Sequence, residues 1–255
     1  MINEETRGDL PEFVEARNAD MQKIMDETPI RYHLSGQMQC DKDLLENKMK
    51  IAKVRISDVV EEYYPDIAIA MSWGKDSMTI LGLALELYPQ LDLKVMFTDT
   101  GRKFVETYAF ANRVMEIYPQ LKRLDYHNEV PLLDCDSCRA WKVTAATAAP
   151  KHFGLRALIV GIRHDEHPAR ADTPILTQVD GVFRSHPIVE FTEADIWAYL
   201  ELKNIPVHPL YTEGYRSIGC APPCTVKTPE GAAERGGRQQ DKEVIMHQLR
   251  GKGYW

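Results

Sequence analysis

The stretch Ser72-Trp73-Gly74-Lys75-Asp76-Ser77 gathers residue types that handle anions. An apolar run over 67–71 precedes it and an amphipathic stretch over 78–87 follows it. A strand that ends in a small-residue turn and passes straight into a helix aims several backbone N–H groups at one point, which makes an anion site. Gly74 permits the tight turn and lets backbone approach a phosphate closely. Lys75 adds positive charge, and Ser72 and Ser77 offer hydroxyl donors. Asp76 is placed to cap the helix or to orient a metal or the lysine. The spacing is not Walker A, because the two-glycine pattern before the lysine is absent. The plainer reading is a decorated helix cap.

Two more stretches fall at the ends of predicted strands, where open α/β sheets bind ligands. Asp99, in Phe97-Thr98-Asp99-Thr100-Gly101, is a candidate for the ribose or adenine side of a nucleotide, or for Mg²⁺; the alternative is a plain turn. In Gly161-Ile162-Arg163-His164-Asp165-Glu166, Arg163 and the nearby Arg170 offer forked donors to phosphate or sulfate; the alternative is a solvated charged loop. The chain has five cysteines. Cys135 and Cys138 form one close pair, Cys220 and Cys224 another, and Cys40 has no local partner. Four thiolates suit a [4Fe–4S] cluster or structural zinc, and reduced cysteines that merely pack are the alternative.

The elements that must position these groups alternate. Strands are predicted over 67–71, 93–97, 121–126 and 157–161, and helices over 78–87, 103–117, 141–151 and 192–203, the last with Thr192 as N-cap. Earlier helices are predicted over 11–25 and 42–63, and a final one over 241–249. Apolar strands alternating with amphipathic helices indicate an α/β fold with a doubly wound parallel sheet. The expected organisation is an N-terminal helical segment over 1–64, a nucleotide-binding domain over 65–205, and a Cys-containing loop plus helix over 206–255. The 255 residues include 44 % hydrophobic residues, enough for a sizeable core. The net charge of −7 weighs against nucleic acid as a partner, while leaving room for a local basic cleft. No apolar run reaches the ~20 residues of a membrane span. The polar, acidic start is unlike a secretory signal, so a cytoplasmic location is expected.

Taken together, SWGKDS, TDTG, GIRHDE-x3-R, HPIVEFTEADIWAYL and YRSIGCAPPCT resemble the adenylyl-sulfate and phosphoadenylyl-sulfate (PAPS) reductase family. That family includes the small subunit of bacterial ATP sulfurylase, and the resemblance covers residues 45–255. SWGKDS is similar to the pyrophosphatase (PP) loop of enzymes that split ATP between the α- and β-phosphates, with Trp73 where many relatives carry glycine. The resemblance implies an adenine-nucleotide α-hydrolase-like fold with a five-stranded parallel sheet. It implies that Ser72, Trp73, Gly74, Lys75, Asp76 and Ser77 cradle a phosphate or sulfate, with Asp99 and Gly101 at the nucleotide. It further implies that Lys75, Arg163, Asp165 and Arg170 serve the reacting anion. The iron–sulfur members hold a [4Fe–4S] cluster on similar cysteine pairs, which favours the cluster over zinc at Cys135, Cys138, Cys220 and Cys224.

One departure bears on function. Reductases of the family carry a C-terminal Glu-Cys-Gly-x-His segment whose cysteine attacks sulfur, and this chain has no cysteine after Cys224. Its tail, with ERGGRQQDKE and GKGYW, is similar to that of the ATP sulfurylase small subunit. The reading that follows is adenylyl transfer from ATP, with Mg²⁺, to sulfate or a similar small anion, releasing pyrophosphate. A GTPase-type large subunit or a second copy would be the partner. The alternatives are a PAPS or adenylyl-sulfate reductase with an unusual thiol, an ATP pyrophosphatase for thiolation, and a non-catalytic nucleotide-binding or cluster subunit.

Overall fold

The computed structural model describes residues 40–128 and 134–239, except for the side chain of Cys135. The helices expected over 11–25 and 241–249 lie outside the described residues. The described chain begins with helix α1 (Lys42–Tyr63), which Asp41 caps by accepting from the N–H groups of Asp43 and Leu44. Strand β1 (Ile67–Ala70) leads into α2 (Lys75–Leu87), β2 (Lys94–Asp99) into α3 (Val105–Ile117), and β3 (Lys122–His127) into α4 (Cys135–His152). Strand β4 (Ala157–Val160), the hairpin β5 (Leu176–Val179) and β6 (Val182–Ser185), and α5 (Glu193–Leu202) follow.

The strands form one sheet in the order β3-β2-β1-β4-β6-β5. It is parallel except where β5 pairs antiparallel with β6. The doubly wound architecture is therefore as expected, but the sheet has six strands rather than five. The extra hairpin lies in a segment with no apolar run, where a turn at Asp180-Gly181, both at positive φ, supplies the pairing. Two further differences are local. Helix α4 starts at Cys135, well before the expected 141, because Asp134 and Ser137 form a reciprocal capping box. Helix α2 starts at Lys75, so the anion loop includes the first helical turn.

The core is continuous across these layers. Ala52, Ile56 and Val60 of α1 pack in one cluster with Ile69 of β1, Ile80 and Leu83 of α2, and Ile196 and Leu200 of α5. The strand order reverses between β1 and β4: β2 and β3 lie to one side of β1, and β4 returns on the other. That reversal opens a crevice at the carboxyl ends of the strands, the usual ligand position in such sheets. No helix among the described residues is long and apolar enough to cross a membrane.

Candidate functional site

The loop at 72–77 follows β1, and Gly161 follows β4 across the crevice. A side chain at Gly161 would put its Cβ 3.0 Å from the backbone C and O of Asp76, so glycine is what lets the two strand ends close together. Inside the loop, Ser72 Oγ lies 3.2 Å from Ser77 Oγ, and Ser77 Oγ donates to the Gly74 carbonyl at 2.9 Å. Gly74 is the N-cap of α2 without a side-chain cap bond, so the first N–H groups of the helix point out of it with no intrahelical acceptor. That of Lys75 donates to Tyr211 Oη at 2.8 Å.

These elements enclose a cavity of about 260 Å³. Its basic side chains are Lys75, Lys103, Lys142, Arg170, Arg184, Arg235 and Arg238; its acidic ones are Asp76 and Glu166. Seven cations against two carboxylates make the cavity strongly basic in a chain whose net charge is −7, which suits an anion. Ser72, Gly74, Lys75, Asp76, Ser77 and Arg170 of the predicted set line it.

Other predicted residues stand elsewhere. Trp73 has φ 65° and turns its ring into the core, fully buried, edge-on to Phe97 at 5.9 Å and under the guanidinium of Arg123. Only its backbone belongs to the loop. Arg163 is fully buried behind the cavity wall. It donates to Asp76 at 2.6 Å and to both Glu234 oxygens at 2.8 and 2.7 Å, with Asp165 3.4 Å away. Asp165 is half-exposed and accepts the N–H of Glu193, tying the loop to α5. Asp99 accepts from Tyr108 Oη at 2.8 Å and from the N–H of Gly101 at 2.9 Å, with His127 at 3.5 Å. Gly101 holds the turn at φ 68°. Asp99 and Gly101 shape the loop beside the cavity rather than its wall.

The C-terminal segment supplies what single motifs did not disclose. Glu234 reaches into the site, where its carboxylate accepts from Lys75 Nζ at 2.5 Å and from Arg163. Burial works to lower the pKa of Lys75, but the carboxylates of Asp76 and Glu234 outweigh it and hold the ammonium protonated, well above its usual range. Arg235, the next residue, donates to Glu166, which also pairs with Arg170. Burial works to raise the pKa of Glu166, yet these two guanidinium groups keep it ionised, far below the usual carboxylate range. Thus Lys75 and Arg163 fasten residues 234–238 onto the loop, and Arg235 and Arg238 enter the cavity with that segment. The sequence signal was the run Glu234-Arg235-Gly236-Gly237-Arg238, read there as a tail resemblance. Lys142 closes the stretch Cys138-Arg139-Ala140-Trp141-Lys142, which is similar to the family's cluster-binding members, whereas for Lys103 there was no signal beyond its charge.

The fold brings two of the cysteines together. Cys138 of α4 and Cys220 are both buried, with their sulfurs 3.6 Å apart; Thr100 Oγ1 lies 3.1 Å from Cys220. The Cys138 hydrogen bond pulls the Cys220 pKa far below the usual thiol range against the opposing effect of burial, and the ammonium groups of Lys103 and Lys142 add to the fall. Burial in turn lowers the pKa of Lys103. Cys224 is disulfide-bonded. Two thiolates on one tetrahedral zinc stand ~3.8 Å apart, given a Zn–S bond of ~2.3 Å. In a four-iron cluster each thiolate takes a different iron, so the sulfurs stand wider. At 3.6 Å the Cys138–Cys220 separation is near the former value. Among the described residues no group of three metal-ligating side chains converges. Cys138 and Cys220 thus form a close pair of buried sulfurs, while the side chain of Cys135, the remaining predicted ligand, lies outside the described residues. Asp76 and Glu166, the carboxylates on the cavity wall, both pair with basic side chains.

Comparison with known proteins places the chain in a family. Residues 66–227 match the family model described as the phosphoadenosine phosphosulfate reductase domain. The phosphoadenosine 5′-phosphosulfate reductase of Gloeobacter violaceus is 28 % identical over 205 residues, covering 73 % of this chain and 83 % of its own. The adenosine 5′-phosphosulfate reductase of Bacillus thuringiensis is 30 % identical over 212 residues, covering 77 % and 89 %. The phosphate complex of the PAPS reductase from Candida auris superimposes with a TM-score of 0.54 at 19 % identity, covering 72 % of this chain and 98 % of that one.

Proposed function

Because this chain belongs to the phosphoadenosine phosphosulfate reductase family, we propose that its cavity binds adenylyl sulfate, with or without a 3′-phosphate, and that the Cys138–Cys220 dithiol reduces the sulfonate to sulfite. The observation that carries this reading is the placement of the thiols. Lys103 and Lys142, both on the cavity wall, face Cys220, and the cavity-lining Gly219 immediately precedes it.

The chemistry balances within the chain. The N–H groups at the start of α2, with Arg235 and Arg238, hold the nucleotide phosphate. Lys103 and Lys142 hold the sulfonate oxygens and offset charge as the S–O bond lengthens. A well-placed donor of this kind is worth about 3 kcal/mol. The Cys220 thiolate attacks sulfur, the bond from sulfur to the phosphate oxygen breaks, and the nucleotide monophosphate leaves. Cys138, having lost its proton, then attacks Cys220 Sγ. Sulfite departs with the electron pair of the Cys220–sulfonate bond, and a Cys138–Cys220 disulfide remains. Sulfur gains two electrons, the two thiols lose two, and a dithiol reductant resets the enzyme. No tail cysteine is required.

A second reading rests on the resemblance of the 72–77 loop to the PP loop of enzymes that split ATP. The same site would join the adenylyl group of ATP to sulfate, with Mg²⁺ entering on the triphosphate, and adenylyl sulfate would be its product. One experiment separates the two. Reduced protein given adenylyl sulfate should release sulfite and AMP when a dithiol reductant is present. ATP formation from adenylyl sulfate and pyrophosphate, without sulfite, would instead establish adenylyl transfer.

A further inference from the structure

The sheet ends in β3 on one side and β5 on the other, and these outer strands are unlike. β3 carries Lys122, Arg123, Asp125 and His127, and charge of this kind keeps an edge from pairing with another chain. β5 reads Leu-Thr-Gln-Val, with no charge and no proline, and it runs in unbroken register with β6. Leu176 is 52 % exposed, and Ile175, just before the strand, is 43 % exposed.

The ladder fixes where the backbone of β5 points. The two strands are in register from Leu176↔Ser185 to Val179↔Val182. The next pair out is hydrogen-bonded, the Ile175 carbonyl accepting from the His186 N–H at 2.8 Å. Hydrogen-bonded and non-hydrogen-bonded pairs alternate along an antiparallel ladder. Ile175, Thr177 and Val179 therefore face β6 through their backbone, and Leu176 and Gln178 turn their N–H and C=O groups outward. Among the described residues nothing meets those outward groups. Thr177, between them, carries an independent sign of a missing neighbour: its hydroxyl is buried and has no hydrogen-bond partner among the described residues. A buried hydroxyl in that state costs stability.

We propose that β5 pairs antiparallel with β5 of a second copy of this chain, about a two-fold axis through Thr177, so that two six-stranded sheets become one. The outward groups match themselves. Leu176 of one copy lies opposite Gln178 of the other, and a hydrogen-bonded pair of this kind exchanges both its N–H···O=C bonds. The two-fold repeats the pair, and no outward group is left over. Thr177 meets its own copy across the central, non-hydrogen-bonded pair. Hydrogen bonds between threonine hydroxyls are among the cross-strand contacts that stabilise such pairs. Ile175 comes opposite Val179 of the second copy, which covers its exposed side chain. A surface that complements itself is what a two-fold dimer requires. Four strand residues bury less than the ~1,200 Å² of a stable interface, so the dimer is reversible and dissociates in the micromolar range. The pairing does not depend on which reaction the cavity runs.

Sedimentation velocity on the full chain over ~2–200 µM tests the pairing, because interfaces of this size dissociate in that range. The unaltered protein should pass reversibly from monomer to dimer. Gln178→Pro removes an N–H that β6 does not use, so the fold keeps its ladder while the outer pairing loses a donor. Leu176→Lys places a charge on the edge at an exposed position, and it decides the matter if the proline variant does not fold. Each should raise the dimer dissociation constant at least tenfold. Thr177→Cys locates the axis. Residues opposite each other in a non-hydrogen-bonded pair have Cα atoms ~4.5 Å apart, within disulfide reach. Mild oxidation should therefore link two chains through that position, as read by peptide mapping. Leu176→Cys, whose copies stand diagonally across the axis at ~7–8 Å, should link far more slowly. The proposal is overturned if the unaltered protein stays monomeric throughout the range, if the dimer persists undiminished in both Gln178→Pro and Leu176→Lys, or if Leu176→Cys links as readily as Thr177→Cys.

Discussion

Replacing Glu234 tests whether the C-terminal segment is clamped to the loop. Its carboxylate is nearly buried and accepts from Lys75 Nζ at 2.5 Å and from Arg163 Nη2 at 2.7 and 2.8 Å. Glu234→Ala leaves two buried cations facing Asp76, with Asp165 at the edge. Breaking a buried ion pair by removing one partner costs about 3–5 kcal/mol. In a domain of this size each kcal/mol moves Tm by about 2–4 °C, so a fall of roughly 6–20 °C is expected. Lys75→Met/Glu234→Gln removes one charge of each sign and leaves Arg163 with Asp76. It should therefore be less destabilised than the sum of its single variants by about 1–3 kcal/mol. Urea denaturation of the four proteins measures this coupling. Strictly additive losses would refute the clamp. The variants should also bind nucleotide more weakly, because Arg235 and Arg238 reach the cavity on the same segment.

Three shorter predictions follow from other groups. His208 is fully buried, its Nδ1 accepting from the Leu210 N–H and its Nε2 3.0 Å from Thr107 Oγ1, and burial pulls its pKa down to about 3. The unfolded chain, with a histidine near 6.5, then binds the proton that the folded chain refuses, so this contribution to stability is complete above pH ~6.5 and is lost as pH falls toward 3. His208→Gln should flatten the pH dependence of urea midpoints between pH 7 and 5, and an unchanged slope would contradict the assignment. Gly161→Ala should push the β4 end from the Asp76 backbone and cut nucleotide affinity about tenfold, ~1.4 kcal/mol, as read by calorimetry; unaltered affinity would count against the shared crevice. Anaerobically purified protein should be colourless with well under one iron per chain, whereas four irons per chain would replace the dithiol by a cluster.

Much of the fold was legible because its signals are local. The runs at β1, β2 and β4 are short and apolar, and Thr192 with Asp195 forms the capping box expected at α5. The 72–77 loop was legible from residue types alone. The β5–β6 hairpin was not, since its strands expose Leu176 and Gln178 while burying Arg184, which reverses the usual patterning. The roles of Lys75 and Arg163 were not readable either. A lysine in an anion loop looks like a phosphate ligand until the structure shows Glu234, 159 residues away, occupying its ammonium. The cysteine spacing showed two local pairs, but not that the fold would bring Cys138 against Cys220 across 82 residues. Such pairings depend on sheet order, which no local spacing encodes.

The central claim is that the chain's own dithiol supplies the electrons, and a single turnover without external reductant tests it most directly. Fully reduced protein, freed of reductant and mixed with adenylyl sulfate or its 3′-phosphorylated form, should release close to one sulfite per chain. Peptide mapping after the reaction should find a new Cys138–Cys220 disulfide, and Cys220→Ser should release none. Sulfite release undiminished in Cys220→Ser, or no sulfite while ATP forms from adenylyl sulfate and pyrophosphate, would contradict the account.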